Sequence, residues 1–98
     1  MNMTFEQYYR YYLTLHKNKA NRRLHVLGQL CTLSLLIYSL YTFNILLLLL
    51  VPFVVYPFAW TGHIYFEKNE PAAWSNPLWA KACDWVMLKD WILGKVER

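Results

Sequence analysis

Residues 24–66 read LHVLGQLCTLSLLIYSLYTFNILLLLLVPFVVYPFAWTGHIYF, 43 residues without one Asp, Glu, Lys or Arg. One membrane-spanning helix needs about 20 apolar residues, so this run is long enough for two. Phe43 and Asn44 supply the turn between them. Five Lys or Arg precede Leu24 and five follow Phe66, and the positive-inside rule then places both termini in the cytoplasm. The expected fold class is an all-α membrane protein. A transmembrane helical hairpin, with spans over 22–42 and 45–66, forms the centre of a single integral-membrane domain over residues 1–98.

Composition agrees, because 57% apolar and 18% aromatic residues against 16% charged is too greasy for an ordinary small soluble domain. The first 15 residues are aromatic and polar with no cleavage pattern, which argues against a signal peptide. Cys31 lies in the apolar run and Cys83 in the charged C-terminal part, so both read as packing residues and no disulfide framework is expected. The net charge of +4 flanks membrane segments and forms no groove-reading motif. Anionic lipid headgroups, not nucleic acid, are the expected counter-charge.

Outside the hairpin, Thr4 to Gln7 reads T-F-E-Q, a capping box that starts a helix. Phe5, Tyr9, Tyr12 and His16 then recur at helical spacing, so 4–17 is an amphipathic helix suited to the membrane interface. Asn21 is placed to cap the first span. That span carries Asn21, His25, Gly28, Thr32 and Ser39 on one face, a stripe of small and polar residues that should meet another helix. Pro52 and Pro57 are expected to kink the second span. Asn76-Pro77 opens a last helix over 77–93, with Leu78, Ala82, Trp85, Leu88 and Ile92 on one side and tryptophans suited to headgroup depth. Asp84 could pair with Lys81 or Lys68.

His25 lies 19 residues before Asn44 and His63 lies 19 after it. An antiparallel hairpin brings them to one level, about 28 Å from the turn. His16 joins from the interfacial helix, so all three histidines converge on the cytoplasmic rim, with Glu67 one turn beyond His63. Imidazoles plus one carboxylate are what a non-haem Fe(II) or a Zn(II) site requires. Without a metal, the same residues are amphipathic histidines at helix ends and a solvated glutamate. Asn18 and Asn21 read as turn and cap residues or as donors that orient a histidine. Arg22 and Arg23 read as headgroup anchors or as an anchor for a substrate carboxylate.

The blocks LHKNKANRRLH (residues 15–25) and WTGHIYFEKNEPA (residues 60–72) resemble the signature blocks of the membrane 2-hydroxy fatty acid dioxygenase family of phytosphingosine breakdown, in a short form. His16, Asn18, Asn21 and His25 match the first block; Gly62, His63, Phe66, Glu67, Pro71 and Ala72 match the second. The blocks cover about a quarter of the chain, in the family's order. The resemblance implies an inner-membrane or endoplasmic-reticulum protein that uses Fe(II) and O2 to shorten a 2-hydroxy fatty acid by one carbon, releasing CO2. Histidines are the implied ligands and catalytic residues. Longer members carry extra hydrophobic segments between the blocks, and some have a histidine where this chain has Lys17. Glu67 or a second subunit would then complete the coordination.

Two readings follow. The first is an iron-dependent dioxygenase holding its acyl substrate in the bilayer; the second is a non-catalytic hairpin that organises lipid or a partner protein through its small-residue stripe. Two spans need oligomerisation or strong interfacial helices to enclose a substrate, so a homo-oligomer, at least a dimer, is expected.

Overall fold

The computed structural model describes residues 3–98, which form helices and turns with no strand among them. Helix α1 (Phe5–Thr14) starts at the expected box: Gln7 N–H donates to Thr4 Oγ1 at 3.2 Å and Thr4 N–H donates to Gln7 Oε1 at 3.0 Å. Helix α2 (Lys19–Thr42) begins three residues before the expected start at Arg22. Asn18 is its cap, accepting from Ala20 N–H at 2.8 Å. Asn18 holds the extended backbone a cap requires, while Asn21 is already inside the helix and fully buried. Such a cap contributes about 1 kcal/mol.

The hairpin turn lies where the sequence puts it. Phe43 adopts the left-handed conformation (φ 53°) and its N–H reaches Leu40 O, while Asn44 N–H reaches Ser39 O at 3.0 Å. These two bonds close a Schellman motif over the orphaned carbonyls of α2. Asn44 then caps helix α3 (Ile45–Leu50) by accepting from Leu47 N–H at 3.1 Å. Proline segments the return path. Pro52 sits in a 3₁₀ turn, Val51–Phe53, and Pro57 in the first turn of helix α4 (Val55–Thr61), where its missing N–H costs least. A π-helical turn, Gly62–Glu67, ends the segment.

The runs Lys19–Tyr41 and Ile45–Glu67 are 23 residues each, about 34 Å of helix, and both are apolar enough to cross a membrane. Only 17% of the apolar window in the second run is buried, so most of its hydrocarbon faces outward. A core helix of a soluble domain would show the reverse.

The small-residue stripe meets a helix, as expected. Gly28, Thr32 and Ser39 are buried, and a Cβ on Gly28 would lie 3.0 Å from Phe58 Cβ on α4. Thr32 and Ser39 satisfy their hydroxyls on carbonyls one turn back, at 2.9 and 2.6 Å.

Helix α5 (Pro77–Ile92) is capped by Asn76, whose Oδ1 accepts from Trp79 N–H. Ala80, Cys83, Asp84, Met87 and Leu88 point inward, while Leu78 and Ile92, on the side with Ala82, Trp85 and Leu88 that the sequence grouped, are exposed. The cause is α1. Tyr8, Tyr12, Ala72, Ala80, Cys83 and Met87 form one core, with Trp79 edge-on to both Phe5 and Tyr8 at 5.7 and 5.3 Å. Aromatic pairs of this geometry contribute about 0.5–1.5 kcal/mol beyond their burial. Both cysteines are free, and burial pushes the Cys83 thiol up to about 11, in keeping with a packing role.

At Gly62 the two long segments touch closely: a Cβ there would collide with the Asn21 side chain and lie 3.2 Å from its Cα. Gly62→Ala is expected to lower stability by about 1–3 kcal/mol through overpacking, read as a reduced Tm of the purified protein in detergent. An unchanged Tm would show that the contact yields freely.

Candidate metal centre

Each histidine reaches the centre by a different local route. His16 lies just beyond α1, where its Nδ1 is 2.7 Å from Tyr12 O and its ring stacks on Tyr12 at 3.9 Å. Arg22 clamps this loop from α2, its Nη1 donating to His16 O and Lys17 O at 2.7 and 2.9 Å. His25 stands in the second turn of α2 with Nδ1 2.9 Å from Asn21 O. His63 stands on the π turn with Nδ1 2.6 Å from Asn69 Oδ1. Asn69 Nδ2 donates to Leu15 O at 3.0 Å, which sets the orientation of that amide.

All three Nδ1 atoms therefore face oxygens that can only accept. Each Nδ1 carries the proton, and each Nε2 is left with a free lone pair. The ring centroids lie 4.5, 4.6 and 5.2 Å apart, and one ligating nitrogen from each ring lies within 4.8 Å of the others. The residues are 1–3% exposed. His16 Nε2 is buried without any hydrogen-bond partner, an arrangement that costs free energy unless something occupies the centre. Burial, aided by the neighbouring His25, holds the His16 imidazole well below its usual range, so it is neutral. Three neutral nitrogen donors, each braced by an outer hydrogen bond, form a set that fits a borderline divalent cation such as Fe(II) or Zn(II).

A small cleft opens from the histidines between α4 and α5, lined by Tyr56, Ala59, Trp60 and Ala80 among others. Tyr12 of α1 and Ala80 and Asp84 of α5 supply walls that the hairpin lacks.

The remaining predicted site residues are placed around the centre. Glu67 is outside the nitrogen group; its carboxylate accepts the Asn18 N–H. His63 and Glu67 both lie on the π turn, and the Glu67 carboxylate is engaged by the start of α2. Asn18 also donates from Nδ2 to Phe66 O at 3.4 Å, so Asn18 and Glu67 together tie the start of α2 to the end of the second run. Asn21 orients His25 through its main-chain oxygen, and its amide packs against Gly62. Neither Arg22 nor Arg23 lines the cleft. Besides clamping the His16 loop, Arg22 donates from Nε to Glu97 O at 2.8 Å, and the exposed Arg23 reaches Arg98 O. Lys17 is exposed.

Sequence reasoning missed Tyr12 and Asn69 as the partners of His16 and His63. A carbonyl four residues before a histidine is a local signal that could have found Tyr12. Asn69 has none, since it reaches His63 only because Lys68 turns left-handed (φ 59°). Asp84 pairs with neither Lys81 nor Lys68; its Oδ2 accepts from Gln29 Nε2 at 2.8 Å across the α2–α5 contact.

Fold and site together define a class: an all-helical protein with two helices able to span a membrane and a buried three-histidine group able to hold a metal ion. A family model described as 2-hydroxy-palmitic acid dioxygenase Mpo1-like matches residues 2–96. The chain belongs to this family, as its two sequence blocks indicated. No curated protein and no solved structure matches it.

Asn69→Ala removes the acceptor of His63 Nδ1–H and is expected to weaken divalent-metal binding about 10- to 100-fold. Asn69→Asp, which keeps an acceptor, should lose less. Cobalt titration followed by its visible absorption measures both, and equal affinity in wild type and Asn69→Ala would remove Asn69 from the centre.

Proposed function

We propose that this protein is an integral membrane, Fe(II)-dependent dioxygenase that converts a long-chain 2-hydroxy fatty acid and O2 into the acid one carbon shorter, CO2 and water. One observation carries the reading: three neutral, braced imidazoles share a dry centre at the end of an apolar cleft. Family membership supplies the class of chemistry.

His16, His25 and His63 would hold the metal. Fe(II), when bound, supplies the redox chemistry that O2 requires and that no side chain of this site can provide. The chain's own residues do the rest. Tyr12 O, Asn21 O and Asn69 Oδ1 keep the three Nδ1 atoms protonated and the rings aimed inward. Tyr12 and the α1–α5 core keep bulk water from the centre. Tyr56, Ala59 and Ala80 offer apolar surface to an acyl chain, where each buried CH2 contributes about 0.8 kcal/mol. Arg22 acts by holding the His16 loop, and Arg23 serves as a headgroup anchor. Glu67 acts at one remove from the centre, through the N-terminus of α2.

The alternative, a non-catalytic hairpin that presents its small-residue stripe to a partner, has less support. Gly28, Thr32 and Ser39 are already buried within this chain.

Protein purified anaerobically with reductant is expected to carry one iron per chain and, given O2, to yield pentadecanoate and CO2 from 2-hydroxyhexadecanoate. His63→Ala should abolish both iron retention and product. Intact substrate after incubation with iron-loaded wild type would end the enzyme reading.

With two spans and cationic residues only at the ends, both termini are expected to face the cytoplasm. Reporters fused to each end should give the same sidedness; opposite signals would separate His25 from His63 across the bilayer and are incompatible with the site described above.

A further inference from the structure

Asp84 is the one acidic residue that lines the cleft, on the α5 wall, in company with all three histidines. It is 5% exposed, and Gln29, its partner one turn beyond His25, is 1% exposed. Gln29 Nε2 occupies Oδ2, whereas Oδ1 is buried with no partner. Lys81, the nearest cation on the same helix, donates instead to Pro52 O at 2.8 Å and lies over the Tyr56 ring. Burial pushes the Asp84 carboxyl up to about 7 in spite of the Gln29 bond. Asp84 does not belong to the close nitrogen group, so it stands off from the centre and is not a fourth ligand there.

A buried carboxyl oxygen without a partner, on a residue that lines the cleft, is a hydrogen-bond acceptor awaiting a donor. The substrate class proposed above offers one candidate. Its carboxylate is repelled by Asp84, and its alkyl chain cannot hydrogen-bond; only the 2-hydroxyl is a donor. We propose that Asp84 Oδ1 accepts the hydrogen bond of the substrate 2-hydroxyl, with Gln29 fixing the carboxyl, so that Asp84 discriminates 2-hydroxy acids from their unhydroxylated counterparts. The inference rests on the hydroxy-acid reading and deepens it. A site built to bond a hydroxyl rejects the analogue lacking it, because its polar group is then left unpaired.

The test is the ratio of affinities for 2-hydroxyhexadecanoate and hexadecanoate, measured without O2 on metal-free and on iron-loaded protein in lipid nanodiscs. Wild type should prefer the hydroxy acid in both states. Asp84→Asn, which keeps an oxygen for Gln29 and turns the unpaired acceptor into a donor, should lower the preference for the hydroxy acid over hexadecanoate about tenfold or more while leaving iron content as it was. Gln29→Leu should act in the same direction with a smaller effect. Equal affinities in metal-free wild type, an unchanged ratio in Asp84→Asn, or parallel loss of both ligands would overturn the proposal, the last by showing a structural role. Preference retained by metal-free protein that never takes up iron would overturn the iron reading and leave this one standing.

Discussion

Three imidazole nitrogens face one another in a dry interior only because each ring is tied down by its other nitrogen. The ties differ in kind. His16 and His25 bond main-chain oxygens four residues upstream, which helical geometry provides to any residue. His63 bonds a side chain, Asn69, that is itself held by Leu15 O at the end of α1. Through Asn69 the loop after the second long run is joined to the loop after α1, and through Arg22 that same loop is joined to α2. Loosening any of these bonds would let a buried lone pair turn away from the centre.

The rest of the fold serves this constraint from outside. Two apolar helices packed through Gly28 and Phe58 bring His25 and His63 to one level, but a hairpin has no third side. That side is made by α1 and α5, whose shared core of Tyr8, Tyr12, Cys83 and Met87 is packed closely enough to stack Tyr12 on His16. The same packing turns Asp84 toward the cleft and Leu78 outward. Walls that the hairpin lacks are supplied by the flanking helices of the same chain.

Much of the site was legible before the structure. The empty charge pattern over residues 24–66 located both apolar runs, and the equal spacing of His25 and His63 about Asn44 put them side by side. Glu67, read as a weaker ligand or an acceptor behind the histidines, lies outside the close nitrogen group and accepts the Asn18 N–H. Asn21 was read as a cap because it precedes the charge-free run; the cap is Asn18, since α2 extends one turn beyond the apolar stretch to bring Arg22 under the His16 loop.

The sequence by itself determined the helices, the turn and the convergence of the histidines, because hydrophobic spacing, capping residues and charge asymmetry act over one or two turns of chain. Tertiary structure alone decided the orienting partner of His63, the partner of Asp84 and the buried face of α5. Asn69 and Gln29 act across contacts between separate segments, where a side chain's role is set by what packs opposite it, and no local pattern carries that information.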